Sequence, residues 1–129
     1  MKVKVSELEG RALNWAVAMS LGWAWQVDEQ GRFDTKGAII LARPYPDGLK
    51  RRVNATSMRI LRLSNFHPIA NWSVMGPLIE QAGIGIFPLS EGRGWAAGLQ
   101  DGPTPLIAAA RCFVASKLGD EIEIPKEIK

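Results

Sequence analysis

The sequence predicts a small single α+β domain spanning residues 1–129. Its mainly antiparallel sheet packs against two main helices and one short helix. Three observations carry that prediction. The chain has 129 residues, 47% of them hydrophobic and 22% charged, enough apolar surface to close a core without metal or disulfide. Several short stretches alternate apolar and polar residues with the period of a half-buried strand, and two longer ones carry apolar residues at helical spacing. No stretch approaches ~18 consecutive apolar residues, the length a membrane helix needs.

Lys2-Val3-Lys4-Val5 alternates and reads as the first strand. Ser6-Glu7-Leu8-Glu9 has the form of a capping box. Leu8, Ala12, Trp15, Ala16 and Met19 then form one stripe, and Gly22 is a stop, so the first helix is expected over 7–21. Trp23, Trp25 and Val27 share one face of a second strand, and the apolar run 38–43 suits a central one. Pro44, Pro46, Asp47 and Gly48 break that run before a strand over 58–63. Pro77 in the first position of a helix predicts a short one over 78–82, ended by Gly83. Extended segments follow at 84–88 and 95–97. Thr104 as cap, Pro105 in first place, Lys117 in the last turn and Gly119 beyond it define the clearest helix. Asp120-Glu-Ile-Glu-Ile124 alternates again. If the terminal strands are neighbours, Val3, Val5, Ile122 and Ile124 share a buried face, while Lys2 and Lys4 oppose Glu121 and Glu123.

Charge and rare residues narrow the chemistry. The net charge is +3, but residues 43–62 carry six cations against Asp47 alone, a local field that attracts phosphate-bearing partners. The single histidine, His67, and the single cysteine, Cys112, exclude a cysteine zinc cluster, an internal disulfide and a two-histidine metal site. Gly83-Ile-Gly85 and Gly92-Arg-Gly94 complete no phosphate-loop or dinucleotide fingerprint. No pair of carboxylates has a spacing that suggests acid–base work. The chain begins Met-Lys-Val-Lys-Val and turns acidic at Glu7 before any apolar run, which predicts no secretory leader.

Aromatic and cationic residues remain. Five tryptophans are many for this length. Trp15, Trp23 and Trp25 fit core positions, whereas Trp72 and Trp95 lie in stretches rich in Gly, Ser, Asn or Pro, where an indole can stack on a base. Arg111 emerges from an apolar helical face and must reach a carboxylate, a carbonyl, a ligand or solvent. The candidate ligand-binding residues are therefore Trp72, Trp95 and Arg111, with Arg93 and Arg59 behind them. No catalytic residue, metal ligand or cofactor is expected.

Several of these residues stand in familiar surroundings. Asn71-Trp72-Ser-Val-Met-Gly76-Pro77-Leu-Ile-Glu80-Gln-Ala-Gly83-Ile84 resembles the Asp-Trp … Gly-Pro-Ile-Ile-Glu-Arg-Glu-Gly-Ile segment of small bacteriophage NinX-like proteins. The stretch from Thr104 to Pro125 and the opening from Met1 to Ala18 are similar to the same family's C-terminal and N-terminal blocks. Residues 28–63 contribute nothing to the resemblance. Trp72, Gly76, Pro77, Glu80, Arg111 and Lys117 fit the family pattern without assigned roles, and Asn71 replaces its usual Asp. The resemblance implies a phage or prophage origin and action in the cytoplasm of a bacterial host; it implies no activity.

The leading functional expectation is a non-enzymatic binding protein that sequesters a small anionic, nucleotide-derived signal of host immunity, a sponge. The Ala/Ser/Cys face of the 105–118 helix would support a homo-oligomer. A second expectation is an interaction module that binds protein or nucleic acid through residues 43–62, and a third is a nucleotide-degrading enzyme. No membrane partner is expected.

Overall fold

The computed structural model describes residues 1–32, 35–44 and 58–128, less the side chains of Pro44, Met58 and Arg59. The order of elements is β1 (Lys2–Lys4), α1 (Gly10–Ser20), β2 (Ala24–Asp28), β3 (Ala38–Pro44), β4 (Met58–Arg62), α2 (Trp72–Ala82), β5 (Ile86–Pro88), β6 (Trp95–Ala97), β7 (Gln100–Gly102), α3 (Pro105–Leu118) and β8 (Glu121–Glu123). This is the predicted α+β class with antiparallel pairing throughout the described strands. In place of one sheet there are three small ones, ordered β1-β8, β2-β3-β4 and β5-β6-β7.

The terminal strands pair as the alternation requires: Lys2 opposite Glu123, Val3 opposite Ile122, Lys4 opposite Glu121. Val5 and Ile124 are buried below that ladder. An ion pair joins Glu123 to the Met1 ammonium at 2.6 Å.

Helix α3 is the hub, packing against α1, α2 and all three strands of the β5-β6-β7 sheet. Its start matches the sequence rule: Thr104 Oγ1 accepts from Ile107 N at 3.1 Å, with Pro105 in first place. Its small residues serve this packing. A Cβ on Gly102 would lie 2.9 Å from Ala108 N, and one on Gly98 would lie 2.9 Å from Cys112 Sγ. At Ala108 and Cys112 this helix is thus approached by the chain's own β6-β7 hairpin, while Ala115 is half-buried and Ser116 is exposed. Burial also raises the Cys112 thiol pKa above its ordinary value.

Two helix starts differ from expectation. Ser6 and Glu9 form no capping box; residues 5–7 make a 3₁₀ turn that buries Val5 and Leu8, and α1 begins at Gly10. Helix α2 begins at Trp72, six positions before the expected start, because Asn71 Oδ1 accepts from Ser73 N at 2.9 Å. Pro77 lies inside it and removes one intrahelical bond instead of opening the helix. Both helices end as their glycines predict. Trp23 N reaches Ala18 O and Gly22 N reaches Met19 O, while Ile84 N reaches Ile79 O and Gly83 N reaches Glu80 O. That paired pattern is the Schellman motif.

The main core joins α1 and α3 to β3 and β8 through Leu13, Val17, Leu41, Phe113, Val114 and Ile122. Trp15 of α1 meets Trp25 of β2 edge-on at 6.5 Å, and Trp23 packs against Phe66 at 6.3 Å. Among the described residues, no helix is long and apolar enough to cross a membrane.

Candidate anion-binding site

A cavity of about 330 Å³ opens where the N-terminal turn of α1, the β2–β3 connection and the end of β4 meet. Its construction starts at Asp28, which is buried at the end of β2. The Asp28 carboxylate accepts from Arg32 N at 2.8 Å, and its carbonyl accepts from Gly37 N at 2.8 Å. Ala38 N donates to Thr35 O at 3.0 Å, which closes the turn into β3. These bonds fix Thr35, Lys36 and Gly37 along one wall.

The opposite wall follows from β4. Its ladder pairs Arg62 with Ile40, and the chain then enters a 3₁₀ turn whose first residue, Leu63, is buried. Arg62 and Ser64 thereby flank a fixed apolar anchor. Arg62 Nη2 donates across the gap to Thr35 Oγ1 at 3.3 Å. Arg11, in the first turn of α1, completes the rim and donates from Nη2 to Glu127 O at 3.0 Å. Ile39 and Leu63 give the cavity an apolar floor.

The lining thus carries two guanidinium groups, one ammonium and two hydroxyls, and no carboxylate among the described residues. Such a set attracts an anion and can hydrogen-bond its oxygens, with arginine suited to bidentate contact. Among the described residues the lining contains no histidine, cysteine or carboxylic acid.

The residues expected from sequence lie elsewhere. Arg111 is 8% exposed, with Nε donating to Leu8 O and Nη1 to Asp101 O, each at 2.8 Å. Its charge clasps the segment before α1 to β7, so its partners are carbonyls of the fold. Trp72 is 56% exposed in the first turn of α2. Trp95 is half-buried in β6 opposite Gly102, and Arg93 lies two residues before it, its Nη2 3.4 Å from Ser90 Oγ. Arg93 thus ends the turn that precedes β6 and lies close to Trp95 in the chain, whereas Trp72 and Arg111 belong to two different helices. None of the four lines the cationic cavity.

Arg59 pairs with Arg43 in the β3–β4 ladder, but its side chain lies outside the described residues, as do residues 45–57 of the basic segment. Arg43 itself stacks over Trp23 at 5.9 Å. Of the cavity's cations, only Arg62 was marked by the charge run. Arg11 and Lys36 come from separate stretches with no local motif, so only the tertiary fold reveals them.

Fold and lining together define a class: a small α+β protein with a cavity lined by cationic side chains. Within that class the chain belongs to the bacteriophage P22 NinX family, whose model matches residues 4–117. The match includes Arg11, Lys36 and Arg62, and it spans the 28–63 stretch that the recognisable motifs leave out. No curated protein matches the chain. Asn71 explains one departure from the family motif, since Asn and Asp cap a helix about equally well.

Proposed function

We propose that this NinX-family protein binds and holds a small anionic, nucleotide-derived ligand without converting it. As a phage protein, it would act in the cytoplasm of the bacterial host and remove a signal of host immunity by sequestration. The observation that supports this reading is the cavity of about 330 Å³ whose described lining includes Arg11, Lys36, Arg62, Thr35 and Ser64. Its size falls in the range of small-molecule sites, roughly 300–1,000 Å³. Sequestration requires affinity and burial only, and the lining supplies charge, donors and an apolar floor. The ligand site of this proposal is thus centred on Arg11, Lys36 and Arg62. Exposed Trp72 and the Arg93–Trp95 pair stay as secondary stacking candidates.

The test is to purify the protein from cells producing candidate nucleotides, denature it by heat and identify released molecules by mass spectrometry. An unaltered nucleotide, lost when Arg11 and Lys36 are both changed to Ala, is the expected result. A chemically altered product would favour the enzyme reading. Empty protein that instead retains DNA would favour nucleic-acid contact through residues 43–62. That second reading has Arg43 and Arg62 on adjacent strands in its support. It predicts steep salt dependence, with a log–log slope of about −0.9 per phosphate contacted on duplex DNA.

A further inference from the structure

We infer that a second cavity, at the seam between α3 and the β6–β7 hairpin, binds a small alkylammonium group. The site is separate from the cavity described above and does not depend on the function proposed for it.

Two turns build the seam. Gly98 and Leu99 form the link between β6 and β7, since Ala97 pairs with Gln100. Gly98 has φ +57°, and a Cβ there would meet Cys112 Sγ, so the hairpin tip rests on α3. At the other end, Gly119 caps the helix and Asp120 O accepts from Val5 N at 2.8 Å, which fixes the entry to β8. Between the turns lies a cavity of about 240 Å³ lined by Leu99, Gln100, Cys112, Ala115, Ser116 and Asp120.

The polar groups of this lining are acceptors. Gln100 Oε1 is buried without a hydrogen-bond donor. A buried acceptor in that state costs stability, which a ligand N–H recovers. Binding turns the terminal amide about its soft last torsion to meet a donor in the cavity. Ser116 Oγ spends its hydrogen on Phe113 O at 2.7 Å and keeps lone pairs for a further partner. Asp120 adds a carboxylate that joins no ion pair among the described residues. The Cys112 thiol, kept protonated by burial, forms a neutral wall. An ammonium brings three N–H donors and one positive charge, which suits an amide oxygen, a hydroxyl and a carboxylate together.

The apolar part of the lining sets the rest of the ligand. Leu99, fully exposed at the hairpin tip, and Ala115 offer surface to a short alkyl chain. The volume of about 240 Å³ lies below the roughly 300–1,000 Å³ of common ligand sites, so the occupant has few heavy atoms and is smaller than a nucleotide. A free amine and a lysine side chain of another protein share this chemistry, and the test separates them.

Amide-resolved NMR titration of the full chain with n-butylammonium, butyrate and 1-butanol at neutral pH tests the inference. n-Butylammonium should give saturable shifts at Leu99, Gln100, Ala115, Ser116 and Asp120, at least about tenfold tighter than 1-butanol, with none from butyrate. Gln100→Met and Asp120→Asn should each weaken it severalfold. Gln100→Met should do so without lowering the unfolding midpoint, because an apolar group of similar size replaces an unpaired acceptor. Tighter binding of Nα-acetyl-lysine amide than of n-butylammonium supports the site as a receptor for a partner protein's lysine; the reverse order supports a free amine. Equal binding of butyrate or 1-butanol, no saturable shifts at these residues, or a large loss of stability in Gln100→Met overturns the inference.

Discussion

Replacing Arg111 by Ala separates a structural clasp from a ligand contact. The guanidinium makes two hydrogen bonds of 2.8 Å to the carbonyls of Leu8 and Asp101, and the residue is almost wholly buried. Charged hydrogen bonds contribute about 1.5–3 kcal/mol each. Desolvation of the cation offsets part of that, and truncation adds the cost of two carbonyls left without their donor. A net loss of about 3 kcal/mol follows, toward the lower end for two such bonds. With a urea dependence of about 1.5 kcal/mol per molar, the unfolding midpoint should fall by about 2 M. Equilibrium unfolding in urea followed by tryptophan fluorescence reads this directly. Arg111→Lys keeps the charge but cannot serve both carbonyls from a fork, so about half the loss should remain. A change below about 0.5 kcal/mol in the Ala variant, accompanied by lost anion binding, would refute the clasp and return Arg111 to the ligand site.

Three further outcomes follow from the same geometry. Asn71→Ala removes the bond to Ser73 N and should cost about 1 kcal/mol in chemical denaturation, whereas Asn71→Asp should be close to neutral. Gly102→Ala places a Cβ 2.9 Å from Ala108 N, backbone of the central helix, and should lower stability by about 1–3 kcal/mol with loss of sharp near-ultraviolet dichroism. Glu123 has its pKa lowered, first by its hydrogen bond to the Met1 ammonium and then by that group's charge. A carboxyl depressed by folding contributes stability that is present above its ordinary pKa and lost as pH falls through the folded one. Thermal melts of the parent and Glu123→Gln should therefore differ near neutral pH and converge under acid conditions; a constant difference would contradict the pairing.

How much of this was legible in the sequence depends on whether the determinants were local. The β1–β8 pairing was readable because Lys-Val-Lys and Glu-Ile-Glu carry complementary charges on one face and branched apolar residues on the other. Helix α3 was readable because Thr104, Pro105 and Gly119 mark its ends chemically. The start of α1 misled because Ser6 and Glu9 match a capping box, while burying both Val5 and Leu8 requires a tighter turn there. Pro77 misled similarly: proline favours a first helical position, whereas the helix begins at Trp72, where Asn71 caps it. Strand β7, Gln-Asp-Gly, has no strand composition at all and exists because the hairpin lays it beside β6.

The site was less legible than the fold. Sequence reasoning expected a cationic, ligand-holding surface, and Arg62 lies within the charge run it singled out. The cavity's other cations escaped it because Arg11, Lys36 and Arg62 are distant in sequence and meet only through α1, the β2–β3 turn and the end of β4. Arg111 attracted notice for a sound reason, an arginine on an apolar helical face. Its need for partners is met by two backbone carbonyls.

The most direct measurement of the central claim is an amide-resolved NMR titration with adenosine monophosphate. The account predicts saturable shifts concentrated at Arg11, Thr35 to Ile39 and Leu63 to Ser64, which border the cavity. Shifts clustered instead at Trp72, Arg93 and Trp95, with the cavity residues unmoved, would contradict it.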